Sequence, residues 1–142
     1  PKTLEVLESQ GTSVVGYQTD SFPAFYLRDS GLKVDYRVDD PARIVRAFKA
    51  KEQLGIPGGM VVATPIPEED ELDTARFNAW LDQILKECEE QGIMGKDVTP
   101  FILSRLHQIS QGETVQANIA LVKNNLKLGA ALAQAYCRED ML

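Results

Sequence analysis

The sequence predicts an α/β fold: a partial parallel or mixed sheet flanked by helices, with a helical carboxy-terminal region. Three observations carry this. Helical and strand patterns alternate as far as Ala63, and only helical patterns follow, the order expected when helices cover a sheet. The run Gly58-Gly59-Met60-Val61-Val62-Ala63 is continuously apolar, as a strand covered on both faces of a parallel sheet would be. The 142 residues, 44% hydrophobic and 25% charged, have the size and composition of a globular domain.

Each element has a local reason. Thr3 to Gln10 reads as a short helix with Thr3 as N-cap and Gly11 as its stop. Ser13 to Tyr17 follows as a short buried strand, and Gln18 to Gly31 is mostly irregular, with an aromatic stretch from Phe22 to Tyr26. Val34 to Val38 alternates and reads as a second strand near a sheet edge. Asp40-Pro41 opens a helix by the N-cap and N1 rule, and it stops at Gly55. The apolar run to Ala63 is ended by Thr64-Pro65-Ile66-Pro67. A helix near Asp73 carries Phe77, Trp80, Leu81, Ile84, Leu85 and Cys88 at three- and four-residue spacing and stops at Gly92. Thr99-Pro100 starts another helix, broken at Ser110 to Glu113. The last helix runs from about Thr114 to Arg138, with an apolar stripe of Val115, Ile119, Val122, Leu126, Gly129, Ala133 and Tyr136. The chain starts at Pro1 with a helical pattern at once, which reads as part of a longer polypeptide.

Composition narrows the function classes. The net charge is −6 with no basic cluster, which argues against a nucleic-acid polymer as partner. No run of 18 apolar residues is present to span a membrane, and no signal-peptide pattern opens the chain. Cys88 and Cys137 lie inside helical patterns and read as reduced thiols of a cytoplasmic protein.

Candidates for chemistry are few. His107 is the only histidine and reads as a helical residue near a helix C-terminus, with no ligand spacing for zinc. Glu68 to Glu71 reads as a solvated helix flank, and Lys96 as a loop lysine in solvent. Gly58-Gly59 allows close backbone approach but is equally explained by strand packing, and Asp20 is placed at a strand end to orient a neighbour or cap a loop. No phosphate-binding loop, nucleophile elbow or zinc-protease motif occurs. In such folds ligands bind beyond the carboxyl ends of strands, here Tyr17 to Asp20 and Thr64 to Pro67.

The asparagines stand out. Asn118, Asn124 and Asn125 interrupt an otherwise apolar helix, although asparagine is a poor helix former. Asn118 and Asn125 project from nearly one face, being seven residues apart. On the apolar side an unpaired amide costs ~1–3 kcal/mol, so protein or ligand should lie opposite Asn118. Asn124 and Asn125 read as structural, bonding to loops or a neighbouring subunit.

Four stretches together resemble one family. They are Gly16-Tyr17-Gln18-Thr19-Asp20 with Phe22-Pro23-Ala24-Phe25; Gly58 to Ala63 with Pro65-Ile66-Pro67-Glu68; Gly92-Ile93-Met94-Gly95-Lys96 with Thr99-Pro100-Phe101; and Asn118-Ile119 with Leu121-Val122 and Asn124-Asn125. Their order and spacing are similar to the carboxy-terminal half of the pseudouridine-5′-phosphate glycosidase, or indigoidine synthase A-like, family, and the resemblance implies that residues 1–142 are the carboxy-terminal portion of a single α/β domain. The resemblance implies reversible cleavage of the C–C glycosidic bond of pseudouridine 5′-phosphate to uracil and ribose 5-phosphate. It further implies a homotrimer, a manganese ion (Mn2+), and a lysine Schiff base with a glutamate proton donor. The lysine, the glutamate, the metal ligand and the main phosphate contacts would all lie upstream, in an amino-terminal portion of the same enzyme. Of the family's site residues only the motif asparagine carries over, onto Asn118, as a substrate-binding amide; no catalytic residue and no metal ligand is expected in this chain. The chain departs from the family pattern at Thr64, at Thr12-Ser13 and at Ser110-Gln111-Gly112. An alternative function on the same scaffold is a non-catalytic oligomerisation or interaction domain that uses the Phe22 to Tyr26 loop as its contact surface.

Overall fold

Glycine and proline positions set the element boundaries in a computed structural model, which describes residues 2–139. The order is α1 (Lys2–Ser9), β1 (Ser13–Tyr17), β2 (Tyr36–Val38), α2 (Pro41–Gln53), β3 (Met60–Ala63), α3 (Thr74–Glu90), α4 (Val98–Ile109) and α5 (Glu113–Glu139). The strands form one sheet in the order β2-β1-β3, and both pairings are parallel. Val15 is opposite Tyr36 on one side and Val62 on the other. The expected α/β class is therefore realised in its parallel form. Among the described residues, no helix is long and apolar enough to cross a membrane.

The caps follow the expected chemistry at two helices. Asp40 accepts from the Ala42 N–H at 2.9 Å with Pro41 in the first turn, and Asp73 accepts from the Arg76 N–H at 2.8 Å. Each satisfies a donor left free by helix geometry. The break before α5 has its own device. Gln111 and Gly112 have φ of 51° and 91°, and Ser110 Oγ accepts from the Thr114 N–H at 3.2 Å while lying 3.0 Å from Thr114 Oγ1. Both hydroxyl residues are buried, and each satisfies the other.

Five expectations need correction. Thr3 lies inside α1 and does not cap it. Strand β2 is shorter than expected, because Val34 donates its N–H to the Asp20 carbonyl across the loop and leaves the ladder. Thr99 and Pro100 lie in the first turn of α4, which starts at Val98 after a 3₁₀ turn over Gly95–Asp97; proline is tolerated there because the N–H it lacks has no helical partner. Strand β3 starts at Met60, after the two glycines, and is an edge strand with Met60, Val61 and Val62 only half-buried.

The fifth correction concerns α5. The predicted stripe of Val115, Ile119, Val122 and Leu126 is its exposed side. The face that packs inward carries Thr114, Ala117, Leu121 and Leu128. Periodicity finds an apolar stripe but cannot say which of two stripes has a neighbour.

Packing divides into two parts. Val14, Val15, Ile44, Val45 and Leu128 are buried around the sheet, where α2 packs on α5. Beyond the strand ends, Tyr26, Leu27, Ile66, Leu72, Ile84, Cys88, Leu106, Ala117 and Leu121 form one cluster. Ile84 and Ile66 are fully buried, each stabilising the fold by about 1.5–3 kcal/mol relative to exposure. Burial also raises the Tyr26 phenol above its ordinary pKa. Arg105 of α4 grips Glu87 of α3 at 2.6 and 3.0 Å, and this pairing holds the Glu87 carboxyl below its ordinary range. Cys88 is buried and Cys137 exposed, both as free thiols.

Candidate functional site

A crevice of about 220 Å³ opens beyond the carboxyl ends of β1 and β3, lined by Tyr17, Gln18, Arg28, Asn124 and the Thr64–Pro67 segment. This is where a parallel sheet offers ligands a place. Its floor is made by a sharp reversal after β1. A Cβ on Gly16 would meet the Thr19 carbonyl oxygen at 2.2 Å and Val34 Cγ2 at 2.8 Å, so only glycine fits. Gln18 then takes the left-handed region at φ 56° and donates its N–H to the Val38 carbonyl at 3.1 Å. Such a conformation costs a non-glycine residue on the order of 1–3 kcal/mol and is over-represented at functional sites.

The other wall is the segment Thr64-Pro65-Ile66-Pro67, whose two prolines have no N–H to donate. Side chains from two other elements hold its carbonyls. Asn124 of α5 donates Nδ2 to the Pro65 carbonyl at 2.9 Å and lies 3.4 Å from Thr64 Oγ1. Arg28 donates Nη1 to the Ile66 carbonyl at 2.6 Å, and its backbone N–H donates to Glu71 Oε1 at 2.7 Å. The aromatic loop, β3's exit and α5 are thus fastened together at one point.

The lining presents an amide, a hydroxyl, a phenol, a guanidinium and a second amide, with no lysine, histidine, cysteine or carboxylate. The amides and hydroxyls donate and accept hydrogen bonds, and the guanidinium donates only. The crevice is suited to positioning a small polar group, and its lining holds no amine or thiol nucleophile.

Asn118 is elsewhere. It is exposed on α5 and makes no side-chain hydrogen bond among the described residues. Asn124 is six positions further on, ~9 Å along the axis and ~120° around it, so the two amides do not converge. Asn125 is exposed too, whereas Asn124 bonds to a loop as expected. Asp20 pairs with Arg37 at 2.9 Å, and His107 and Lys96 are exposed. Glu71, expected as solvated flank, is half-buried and bound to the Arg28 N–H. Gly58 has φ 88°, and the Gly59 carbonyl accepts from buried Lys51 Nζ at 2.7 Å, which gives that pair a packing role. In the aromatic loop Tyr26 is buried, while Phe25, edge-on to it at 4.6 Å, is exposed, so only part of the loop faces outward. Sequence reasoning missed Arg28, which no spacing singles out, whereas Gln18 falls inside the Tyr17 to Asp20 strand end expected to meet ligand.

Among the described residues no group of three or more His, Cys, Asp or Glu side chains gathers where it could hold a metal ion. The described residues alone gather no donor set that fits a manganese ion.

Three parallel strands, flanking helices and a polar crevice at the strand ends define an α/β protein of the parallel-sheet class. Residues 1–135 match the family model described as indigoidine synthase A like protein, and the chain belongs to that family. It is 50% identical over 134 residues to a pseudouridine-5′-phosphate glycosidase of Glaesserella parasuis serovar 5 (strain SH0165), covering 94% of this chain and 44% of the relative. The enzyme of that name from Geobacillus kaustophilus (strain HTA426) is 51% identical over 132 residues, covering 93% of this chain and 44% of its own length. Among solved structures, the prealnumycin C-glycosynthase AlnA in complex with ribulose 5-phosphate superposes with a TM-score of 0.79 at 33% identity, covering 94% of this chain and 42% of that one. An indigoidine synthase A-like protein from Thermotoga maritima gives 0.79 at 32% identity, covering 92% and 43%. This chain therefore spans less than half the length of the relatives it matches.

Proposed function

We propose that these residues are the carboxy-terminal portion of a pseudouridine-5′-phosphate glycosidase, an enzyme that reversibly cleaves the C–C glycosidic bond of its substrate to uracil and ribose 5-phosphate. The observation that carries the reading is half identity, over nearly the whole chain, to relatives bearing that name. The likeness to a C-glycosynthase solved with a pentulose phosphate points to the same class of bond. The crevice, with positioning groups and no nucleophile, supports an arrangement in which the Schiff-base lysine, the proton donor and the manganese ligands belong to an amino-terminal portion. Asn118 is a substrate-positioning amide, able to donate and accept without changing charge. Its exposure here fits a group that meets its ligand only when that portion is in place. The assembled enzyme works in the cytoplasm as a homotrimer. A binding role for the uncovered face of α5 accompanies this reading and does not replace it.

The test is uracil release from pseudouridine 5′-phosphate by this chain alone and after addition of the amino-terminal portion. Release is expected only from the pair. Activity of the isolated chain would overturn the placement of the chemistry, and an inactive assembled pair would overturn the activity itself. In the pair, Asn118→Ala should lower turnover about tenfold or more, the rate equivalent of one hydrogen bond of ~1.4 kcal/mol, without lowering stability. Unchanged turnover would remove Asn118 from the site.

A further inference from the structure

Helix α5 is amphipathic twice over. One apolar face packs inward through Ala117, Leu121 and Leu128. A second, with Val115, Ile119, Val122 and Leu126, is uncovered: Val122 is 49% exposed and Leu126 67%. The steps of four, three and four residues keep these side chains in one line. The charged side of the helix is separate and carries Lys123 and Lys127. A helix that faced only water would not need a second apolar line, and contiguous exposed apolar surface of this kind marks an interface.

Two further features adjoin it. Toward the carboxyl end of α5 an apolar groove of about 280 Å³ lies between this helix, at Leu132 and Ala133, and β3, at Met60 and Val62. Strand β3 is also an edge, with its far side unpaired among the described residues, yet its sequence is that of a strand interior to a parallel sheet. The uncovered helix face and the groove are apolar, the strand edge offers unpaired backbone N–H and C=O groups, and all border α5 or β3.

Resting on the reading given above, we infer that the second apolar face of α5, together with the groove at β3, is the seat of the part of the family chain that these 142 residues do not span. Relatives more than twice as long supply such an occupant, since this chain covers 44% of them. Asn118 and Asn125 lie along the margin of this face, so seating the partner encloses both amides at the junction of the two portions.

The experiment is co-expression of this chain with the unmatched portion of the Glaesserella parasuis relative, followed by affinity measurement on the separated partners. Val122→Asp and Leu126→Asp should each weaken the complex at least about tenfold while leaving the melting curve of this chain unchanged, because both positions are already in solvent. Lys123→Asp and Lys127→Asp, on the charged side, should leave affinity within about twofold. Apolar-face variants that bind like the parent, the absence of any complex, or self-association of this chain abolished by Leu126→Asp would each overturn the assignment. A complex that needs Val122 and Leu126 but releases no uracil would uphold the interface and sink the proposed activity, so the two failures are distinguishable.

Discussion

Leu121 and Val122 are consecutive in α5, and both are aliphatic, yet one is 7% exposed and the other 49%. The first touches the cluster built from α3, α4 and the loop after β3; the second touches solvent. Comparing the two faces they represent teaches that apolar periodicity records what a helix is meant to contact. It does not record what is present to be contacted. The inward face is built from small and mid-sized residues, Thr114, Ala117, Leu121 and Leu128, which let α5 approach its neighbours. The outward face carries the β-branched residues Val115, Ile119 and Val122.

The sharpest way to break this comparison is paired truncation. Leu121→Ala should destabilise the chain by about 2–5 kcal/mol in urea unfolding, the cost of a buried leucine and its cavity. Val122→Ala should change stability by no more than ~0.5 kcal/mol. Equal effects would mean that the faces are not different in kind. A smaller effect belongs to the crevice. Asn124→Ala removes the donor to the Pro65 carbonyl and should cost about 0.5–1.5 kcal/mol, with faster amide exchange in the Thr64–Pro67 segment as the local readout.

The smallest effect is a control on α3 and α4, on neither face of α5. Glu87 has its pKa lowered by the Arg105 hydrogen bonds and by Gln83. A depressed carboxylate stabilises the fold above its unfolded pKa of about 4.3, and that contribution is lost as pH falls through the lower folded value. Arg105→Met should therefore flatten the acid limb of a stability-versus-pH curve while leaving the contrast between Leu121 and Val122 intact. An unchanged acid limb would deny the pair any share in acid unfolding.

Much of this fold was legible because short-range chemistry decides it. Asp40-Pro41 and Asp73 cap helices by rules that need only neighbouring residues, and Gly11, Gly55 and Gly92 end helices with φ between 65° and 67°. The reading failed where the answer depends on distant partners. The covered side of α5, the edge position of β3 and the inward turn of Tyr26 are all set by residues far away in sequence. The crevice was half legible. Its location followed from parallel-sheet geometry, and Thr64 to Pro67 was named as a strand end. Arg28 was not, because a single arginine after an aromatic loop carries no periodic or spacing signal.

The hydrogen bond from Asn124 to the Pro65 carbonyl joins positions 59 apart. Ribosomal synthesis delivers all three strands and four helices before the residue that fastens the loop after β3. Until α5 emerges, that proline-bounded carbonyl has only water to accept from. Contacts so far apart in the chain form late, since the intervening loop must close before they reward it. The crevice wall is thus fastened late, and a nascent chain short of Asn124 has the strands but no fastened wall.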